Sequence, residues 1–287
     1  MRFGLAITLF SPNETEIKRI SDIAPLFEAI IAYDNTEGRI ESRYIELLET
    51  AGVTVLSNGL NDGLSKAYND MSYYLINRQI DYSLILDQDS KFDACSIDKF
   101  MRRVEVIGEP SVGVYCPTIL YEHDISVIKE RKNNTMSFED VDWCISSGSL
   151  INLAVLSKVK GFDEAYFIDR IDSDYCTVLK KSGYGIVRIN DVFMQQSLGA
   201  IKHVFWFSIF EHSCLRNYYI ARNRVYFYHK HYPNLIERYF KIIFLSLRHV
   251  LRVIFLENNK ISKIKMILLG ITDAINKDFG KIRIKVK

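Results

Sequence analysis

The sequence is short of the residues that would mark a disulfide-stapled, low-complexity or membrane-spanning chain. Its five cysteines in 287 residues, Cys95, Cys116, Cys144, Cys176 and Cys214, form no CxxC pair. Neither a disulfide framework nor a thiolate zinc site is therefore expected, and a reducing compartment is. Five prolines and fourteen glycines are too few for a collagen-like or Pro/Gly-rich chain. Between Arg238 and Glu257 the longest uncharged stretch is the six residues Ile242 to Leu247, where a spanning helix needs ~20. The opening MRFGLAITLF lacks the basic region, long apolar core and cleavage site of a signal peptide and reads as a first buried strand of a cytoplasmic protein.

An excess of one charge is also missing from the whole chain, which carries 37 basic and 35 acidic residues for a net +2. The balance conceals a division. Residues 238–287 hold twelve Lys and Arg against three Asp and Glu, or +9, which leaves −7 for residues 1–237. The basic tail is expected to meet an anionic surface, and the acidic remainder is a poor footprint for nucleic acid.

What is present is a folded chain of one or two domains, 48% hydrophobic and 25% charged. RFGLAITLF, LFEAIIAYD, VTVLS and YSLILD read as strands, and the segments between them repeat apolar residues every three or four positions, as helices do. Ser11-Pro12 suits a helix start and Gly52 a helix end. This alternation predicts an α/β fold with an open, mostly parallel sheet and helices on both faces. Such sheets bind ligands beyond the carboxyl ends of their strands. Asp34-Asn35 and Asp87-Gln88-Asp89 fall on that edge. From about 112 the pattern loosens: VGVYCPTILY reads as a strand, residues 124–142 as a polar excursion, and CISSGSLIN as an apolar segment around a small-residue turn. No repeat or linker supports a boundary before about 200. The expected division is residues 1–211, in two halves to about 110 and from 111 to 211, followed by a helical region at 212–287.

Several stretches carry chemistry. Asp87 and Asp89, at the end of an apparent strand, suit a hard divalent cation, Mn²⁺ or Mg²⁺, or else an Asx-turn and a helix cap. NDGLSKAYN places Asn61 and Gly63 where backbone N–H groups face an anion, or where an ordinary strand-to-helix turn falls. GFDEAYFIDRIDSDY crowds Asp163, Glu164, Asp169, Asp172 and Asp174 among aromatics, which suits a sugar and offers a general base, with helix capping as the bland role of Asp172 and Asp174. In HSCLRNYYIARNRVYFYHK, Arg216, Arg222 and Arg224 lie among four tyrosines, as a diphosphate grip, a single-strand binder or a solvated helix would have it. LIERYFKIIFLSLRHVLRVIFL interleaves apolar residues with arginines, as helices lying in a membrane interface do, and as helices packed on their own domain also do.

The succession AYDN, NDGLSKAYN, LILDQDS, CISSGSLI, GFDEAYFIDRIDSDY, KKSGYGI and RNYYIARN resembles glycosyltransferase family 2, and within it the bacterial rhamnosyltransferases of O-antigen and capsule assembly. GITDAINKDFGK is similar to the end of those enzymes. The resemblance implies a GT-A fold with C-terminal amphipathic helices, a sugar-nucleotide donor and an inverting displacement. It implies Asp34 and Asn35 at the nucleotide base, Asn61, Gly63 and Gln88 beside the nucleotide, Asp89 and Asp87 at the metal, and Asp172 as catalytic base. Ser147 and Gly148 would border the donor sugar, and Arg216, Arg222 and Asn223 would face the site. The implied partners are dTDP-rhamnose, a lipid-linked glycan and the anionic inner face of the cell membrane. UDP-galactofuranose is the first alternative donor, and an inactive sugar-nucleotide-binding subunit is the alternative outside catalysis. Gln196 stands where the family commonly has a metal-binding histidine, for which His203 or His212 would have to substitute. Ile171 replaces an acidic residue found before the base in many relatives.

Overall fold

A computed structural model describes residues 1–121, 137–196, 201–204 and 207–283. The chain divides into two compact units, Met1–Asp163 with Tyr175–Ser197, and Glu164–Asp174 with Leu198–Lys287. The second unit thus takes in a short segment from far upstream in the sequence.

In the first unit the chain runs β1 (Phe3–Leu9), α1 (Glu14–Ile23), β2 (Ala29–Asp34), α2 (Ser42–Thr50), β3 (Thr54–Leu56), α3 (Leu64–Ile76), β4 (Tyr82–Asp87), α4 (Ala94–Ile107), β5 (Val112–Tyr121), β6 (Phe138–Asp140), β7 (Leu150–Asn152) and α5 (Leu153–Lys158). Helix α6 (Ile171–Lys181) begins in the second unit and ends in the first, and β8 (Gly185–Gln196) closes the first. The strands form one sheet in the order β3-β2-β1-β4-β7-β5-β8-β6. Pairs β1/β2, β2/β3, β1/β4 and β5/β8 are parallel, while β7 lies antiparallel between β4 and β5. All seven residues of β1 are buried. Because alternate side chains of a strand point to opposite faces, both faces of the sheet centre are covered.

The expected elements appear, with two local differences. Helix α1 starts after Asn13, not at Pro12. The Asn13 side chain accepts from the Glu16 amide and the Glu16 carboxylate accepts from the Asn13 amide, a reciprocal cap that Pro12 has no N–H to make. The second strand begins at Ala29 because Ala24–Leu26, with Pro25, form a tight turn first. The polar stretch expected at 124–142 lies largely outside the described residues, and Phe138–Asp140 within it pairs with β8.

The second unit carries the short hairpin β9 (Ile201–Val204) and β10 (Phe207–Phe210), then helices α7 (Cys214–His231), α8 (Leu235–Leu256) and α9 (Lys260–Asn276). Helix α9 packs closely on α7 at Gly270, where a Cβ would stand 2.4 Å from the Tyr218 carbonyl oxygen. The Tyr218 hydroxyl donates to Asp273 at 2.7 Å across the same contact. Helix α8 leaves a stripe of large apolar side chains exposed, among them Ile236, Phe240, Ile243, Phe244, Leu247, Leu251 and Phe255. Their spacing of three and four puts them on one side of the helix. Among the described residues no helix is long and apolar enough to cross a membrane.

Gly270→Ala forces a methyl group against backbone and is expected to destabilise the protein by about 1–3 kcal/mol, read as a lower midpoint in urea. An unchanged midpoint would mean that the two helices separate without loss.

Candidate active site

The topology reverses direction beside β1, with β2 and β3 on one side and β4 on the other. Ligand crevices of open α/β sheets form at such a reversal. Register sets Leu9 opposite Asp34 and Thr8 opposite Asp87. With neighbouring strands ~4.8 Å apart, the ends of β2 and β4 present their aspartates on one edge at a separation of about 10 Å between Cα atoms.

Asp34 is fully buried and its carboxylate is engaged. One oxygen accepts from the Thr36 amide at 2.9 Å, and the other from the Ile40 amide at 3.0 Å and the Ser57 hydroxyl at 3.1 Å. Asn35 accepts from the Asp62 amide at 3.1 Å and donates to the Gly63 carbonyl at 3.3 Å. The Asn61 side chain accepts from the Gly63 amide at 3.0 Å, and Gly63 caps α3. Four of the expected nucleotide residues therefore meet, and the bonds they make shape the loops of this edge. Sequence reading missed Ser57, and also Tyr33, whose hydroxyl donates to Asp62 at 2.7 Å. Neither lies in a recognisable motif.

At the end of β4, Asp87 is half-buried and Asp89 exposed. The Ser90 amide donates to the Asp87 carbonyl at 3.0 Å and closes a turn that carries Asp89 outward. Neither aspartate caps the next helix. Asp93 does, accepting from the Ser96 amide at 2.9 Å, so that bland role is taken by another residue. Gln88 acts as a clamp: its side-chain amide accepts from the Phe10 amide at 2.7 Å, donates to the Phe10 carbonyl at 3.1 Å and donates to Glu16. Ser147 lies beneath, its hydroxyl accepting from the Asp87 amide at 3.1 Å and bonded to the Ser90 hydroxyl at 2.8 Å. Gly148 turns there with φ of 83°, and a Cβ would meet Met194 at 2.5 Å. A cavity of about 580 Å³ adjoins this turn, bordered by Arg19, Asp87, Gln88, Ser90, Lys91 and Gln195.

The donors gathered here are oxygens. Among the described residues no group of three or more His, Cys, Asp and Glu is assembled to cage a metal. The buried Oε1 of Gln196 has no partner, and its neighbour Gln195 pairs with Lys91, two residues beyond Asp89. Oxygen donors such as the two carboxylates of Asp87 and Asp89 fit a hard cation that keeps water and substrate phosphates as its remaining ligands. His203 has its side chain outside the described residues. His212 lies in the second unit with Arg224, Arg248 and Arg252 around one cavity, where a metal cation would be repelled.

In the second unit, Asp172 and Asp174 stand in the first turn of α6. The two residues before the helix, Asp169 and Arg170, have φ of 64° and 66°, a left-handed conformation that costs a residue with a Cβ about 1–3 kcal/mol. Helix α7 holds this turn. The Asn223 side chain donates to the Ile168 carbonyl at 2.6 Å and to the Asp169 carbonyl at 3.0 Å. The fully buried Arg222 donates to the Ala165 carbonyl at 3.1 Å and to the Gly280 carbonyl. Arg216, exposed, pairs with Asp169 at 3.4 Å, while burial pushes the Asp169 carboxyl upward in pKa. Asp174 is buried between His231 at 2.7 Å and Lys230 at 2.8 Å. So Arg222 and Asn223, expected to face a donor, bond the turn that bears Asp172, and the helix is neither solvated nor a single-strand platform.

No protein-family profile matches the chain. It is 26% identical over 247 residues to the dTDP-rhamnosyl transferase RfbF of Shigella flexneri, covering 80% of this chain and 81% of that one. Two solved structures share its fold. S. aureus TarS 1-349 in complex with UDP-GlcNAc aligns with TM-score 0.57 and 12% identity over 96% of this chain and 81% of that one. GalNAc-T7 with UDP, GalNAc and Mn²⁺ aligns with TM-score 0.54 and 10% identity over 69% of this chain and 44% of that one. The chain has the GT-A fold of these glycosyltransferases. The resemblance to family 2 is borne out, and among glycosyltransferases the chain is rhamnosyltransferase-like.

Asn223→Ala removes two part-buried hydrogen bonds from the strained turn, which is expected to lower stability by about 1–3 kcal/mol. Urea unfolding measures it, and equal midpoints for variant and wild type would show that the turn holds without Asn223.

Proposed function

We propose that the protein transfers L-rhamnose from dTDP-rhamnose to a lipid-linked oligosaccharide at the inner face of the cell membrane, inverting the anomeric carbon, in the assembly of a surface polysaccharide. The observation that carries this reading is the likeness to a dTDP-rhamnosyl transferase over about four-fifths of both chains. Asp34, Asn35, Asn61 and Gly63 form the nucleotide's berth. Asp89, with Asp87, would hold Mg²⁺ or Mn²⁺. When bound, that ion neutralises charge growing on the departing diphosphate. Arg216, more than half exposed, has a guanidinium available to an anion.

Asp172 takes the proton of the acceptor hydroxyl. The acceptor oxygen then attacks the anomeric carbon from the face opposite the diphosphate, and the bond to the phosphate oxygen breaks with its electron pair leaving on dTDP. The turn held by Arg222 and Asn223 fixes where that carboxylate points, which is where orientation yields rate. Ser147 and Gly148 border the sugar.

The apolar stripe of α8 and the +9 of residues 238–287 support docking on an anionic bilayer, where a lipid-linked acceptor is found. Deleting this region would strip α9 from α7, so surface substitutions are the cleaner test. Replacing Phe240, Phe244 and Phe255 together with serine is expected to abolish pelleting with anionic liposomes while leaving the melting temperature unchanged. Undiminished pelleting would remove the stripe from the membrane reading.

Calorimetric titration with dTDP, UDP and GDP, with Mn²⁺ and without, tests the donor. Metal-dependent preference for dTDP is expected, lost in Asp89→Ala. Asp172→Asn is expected to keep that binding and lose transfer. Preference for UDP would move the donor toward UDP-galactofuranose or another UDP-sugar, and full activity in Asp172→Asn would take the base role from Asp172.

A further inference from the structure

The second unit contains a cationic cavity that the transfer reaction does not use. Its volume is about 400 Å³, and Arg224 on α7 and Arg248, His249 and Arg252 on α8 line it together with His212. Arg252 is paired with Glu257 at 2.8 Å. Among the described residues neither Arg224 nor Arg248 has a carboxylate partner. Arg224 is 7% exposed, its Nε has no acceptor, and its one bond is a long one, 3.5 Å, from Nη1 to the Ser246 hydroxyl.

A buried guanidinium without a counter-ion is costly, and proteins keep one where an anion comes to it. The surroundings report the same positive field. Burial, then Arg170, Arg248 and Arg252, lower Arg224 to about 10. Burial, then Arg224 and Arg252, lower His249 to about 3. Burial, then Arg252 and Arg216, lower His212 to about 4. Both histidines are thus neutral, although nearby arginines remain charged. His249 donates from Nε2 to the Asn217 carbonyl oxygen at 2.6 Å, because the Asn217 amide nitrogen is itself donating to backbone carbonyls. Its buried Nδ1 has no partner.

We propose that this cavity is a binding site for a phosphate or diphosphate group, gripped by Arg224 and Arg248 with Arg252 alongside. Guanidinium forks match the oxygens of a phosphate two at a time, and the cavity has room for two linked phosphates. The group could be carried by a soluble diphosphate or by a lipid headgroup, and the chemistry of the site is the same for both. Nothing in the inference depends on the donor or the base assigned above.

The test is calorimetric titration of the full chain with inorganic pyrophosphate in the absence of divalent metal, which keeps any metal-dependent donor site out of the measurement. Binding that weakens with added salt is expected, with a loss of about tenfold or more in Arg248→Ala, since one charge-assisted contact disappears. Arg248 is exposed and its removal leaves the fold intact. Arg224→Met is expected to lose at least as much, with circular dichroism reporting its folding. Vesicles of phosphatidylcholine with and without phosphatidic acid then separate the sources. If Arg248→Ala removes the gain in vesicle binding that phosphatidic acid gives, the phosphate is lipid-borne; if it removes only pyrophosphate binding, the phosphate is soluble. No pyrophosphate binding by the wild type, or equal binding by wild type and Arg248→Ala, would overturn the proposal.

Discussion

Asp169 and Arg170 occupy a backbone conformation that L-residues avoid, and the helix carrying Asp172 begins at the next residue. Such a turn persists only where its surroundings over-determine it. Here the surroundings are two consecutive side chains of α7, Arg222 and Asn223, which are wholly buried and spend their donors on the carbonyls of residues 165, 168 and 169. Arg222 is the largest fully buried side chain among the described residues. Backbone carbonyls satisfy it, and it fixes them in return. The packing of α9 on α7 through Gly270, and the Asp174 contacts to His231 and Lys230, serve the same end by keeping α7 where those bonds require it.

The sheet edge of the first unit follows the same logic with different chemistry. Asp34 satisfies two amides and a hydroxyl, and Asn35 and Asn61 satisfy the loop before α3. Gln88 ties the carboxylate turn back to β1 and α1. Asp89 is carried outward from this edge into solvent. An aspartate presented on so many fixed supports needs little reorganisation to take a ligand, and preorganisation of this kind is where binding sites gain affinity.

The strand and helix order was legible because the strands β1 to β4 read as continuous apolar runs, while the helices between them repeat apolar residues every three or four positions. The α1 start was misread because proline marks helix entry statistically, whereas the Asn13–Glu16 cap decides it by satisfying orphan amides. Motif spacing located the Asp87–Asp89 turn and the Asp172 turn. It did not show that the arginine and asparagine of α7 point inward, because burial of a polar side chain depends on carbonyls supplied by residues more than fifty positions away. The left-handed pair was equally hidden, since Arg170 is not a residue that announces a positive φ and one aspartate among five nearby carboxylates singles out no turn.

Helix α8 has two faces with opposite needs. Leu245, Arg248, His249 and Arg252 recur at three and four residues and border the cationic cavity with α7. Ile236, Phe240, Ile243, Leu247 and Phe255 recur on the other side and stand exposed. A helix packed only on its own domain would keep its apolar side inward and its arginines in water, because that arrangement buries carbon and hydrates charge. This helix inverts that arrangement in part: Ile242 and Val253 are buried and Arg248 is exposed, but the larger apolar stripe faces outward while Arg252 is half-buried beside the cavity. The inversion is unfavourable in water, and it becomes favourable when a lipid surface covers the exposed carbon and an anion enters among the arginines. Because the stripe and the cavity lie on opposite sides of α8, a surface that covers the one does not by itself fill the other, and the two readings stand or fall separately.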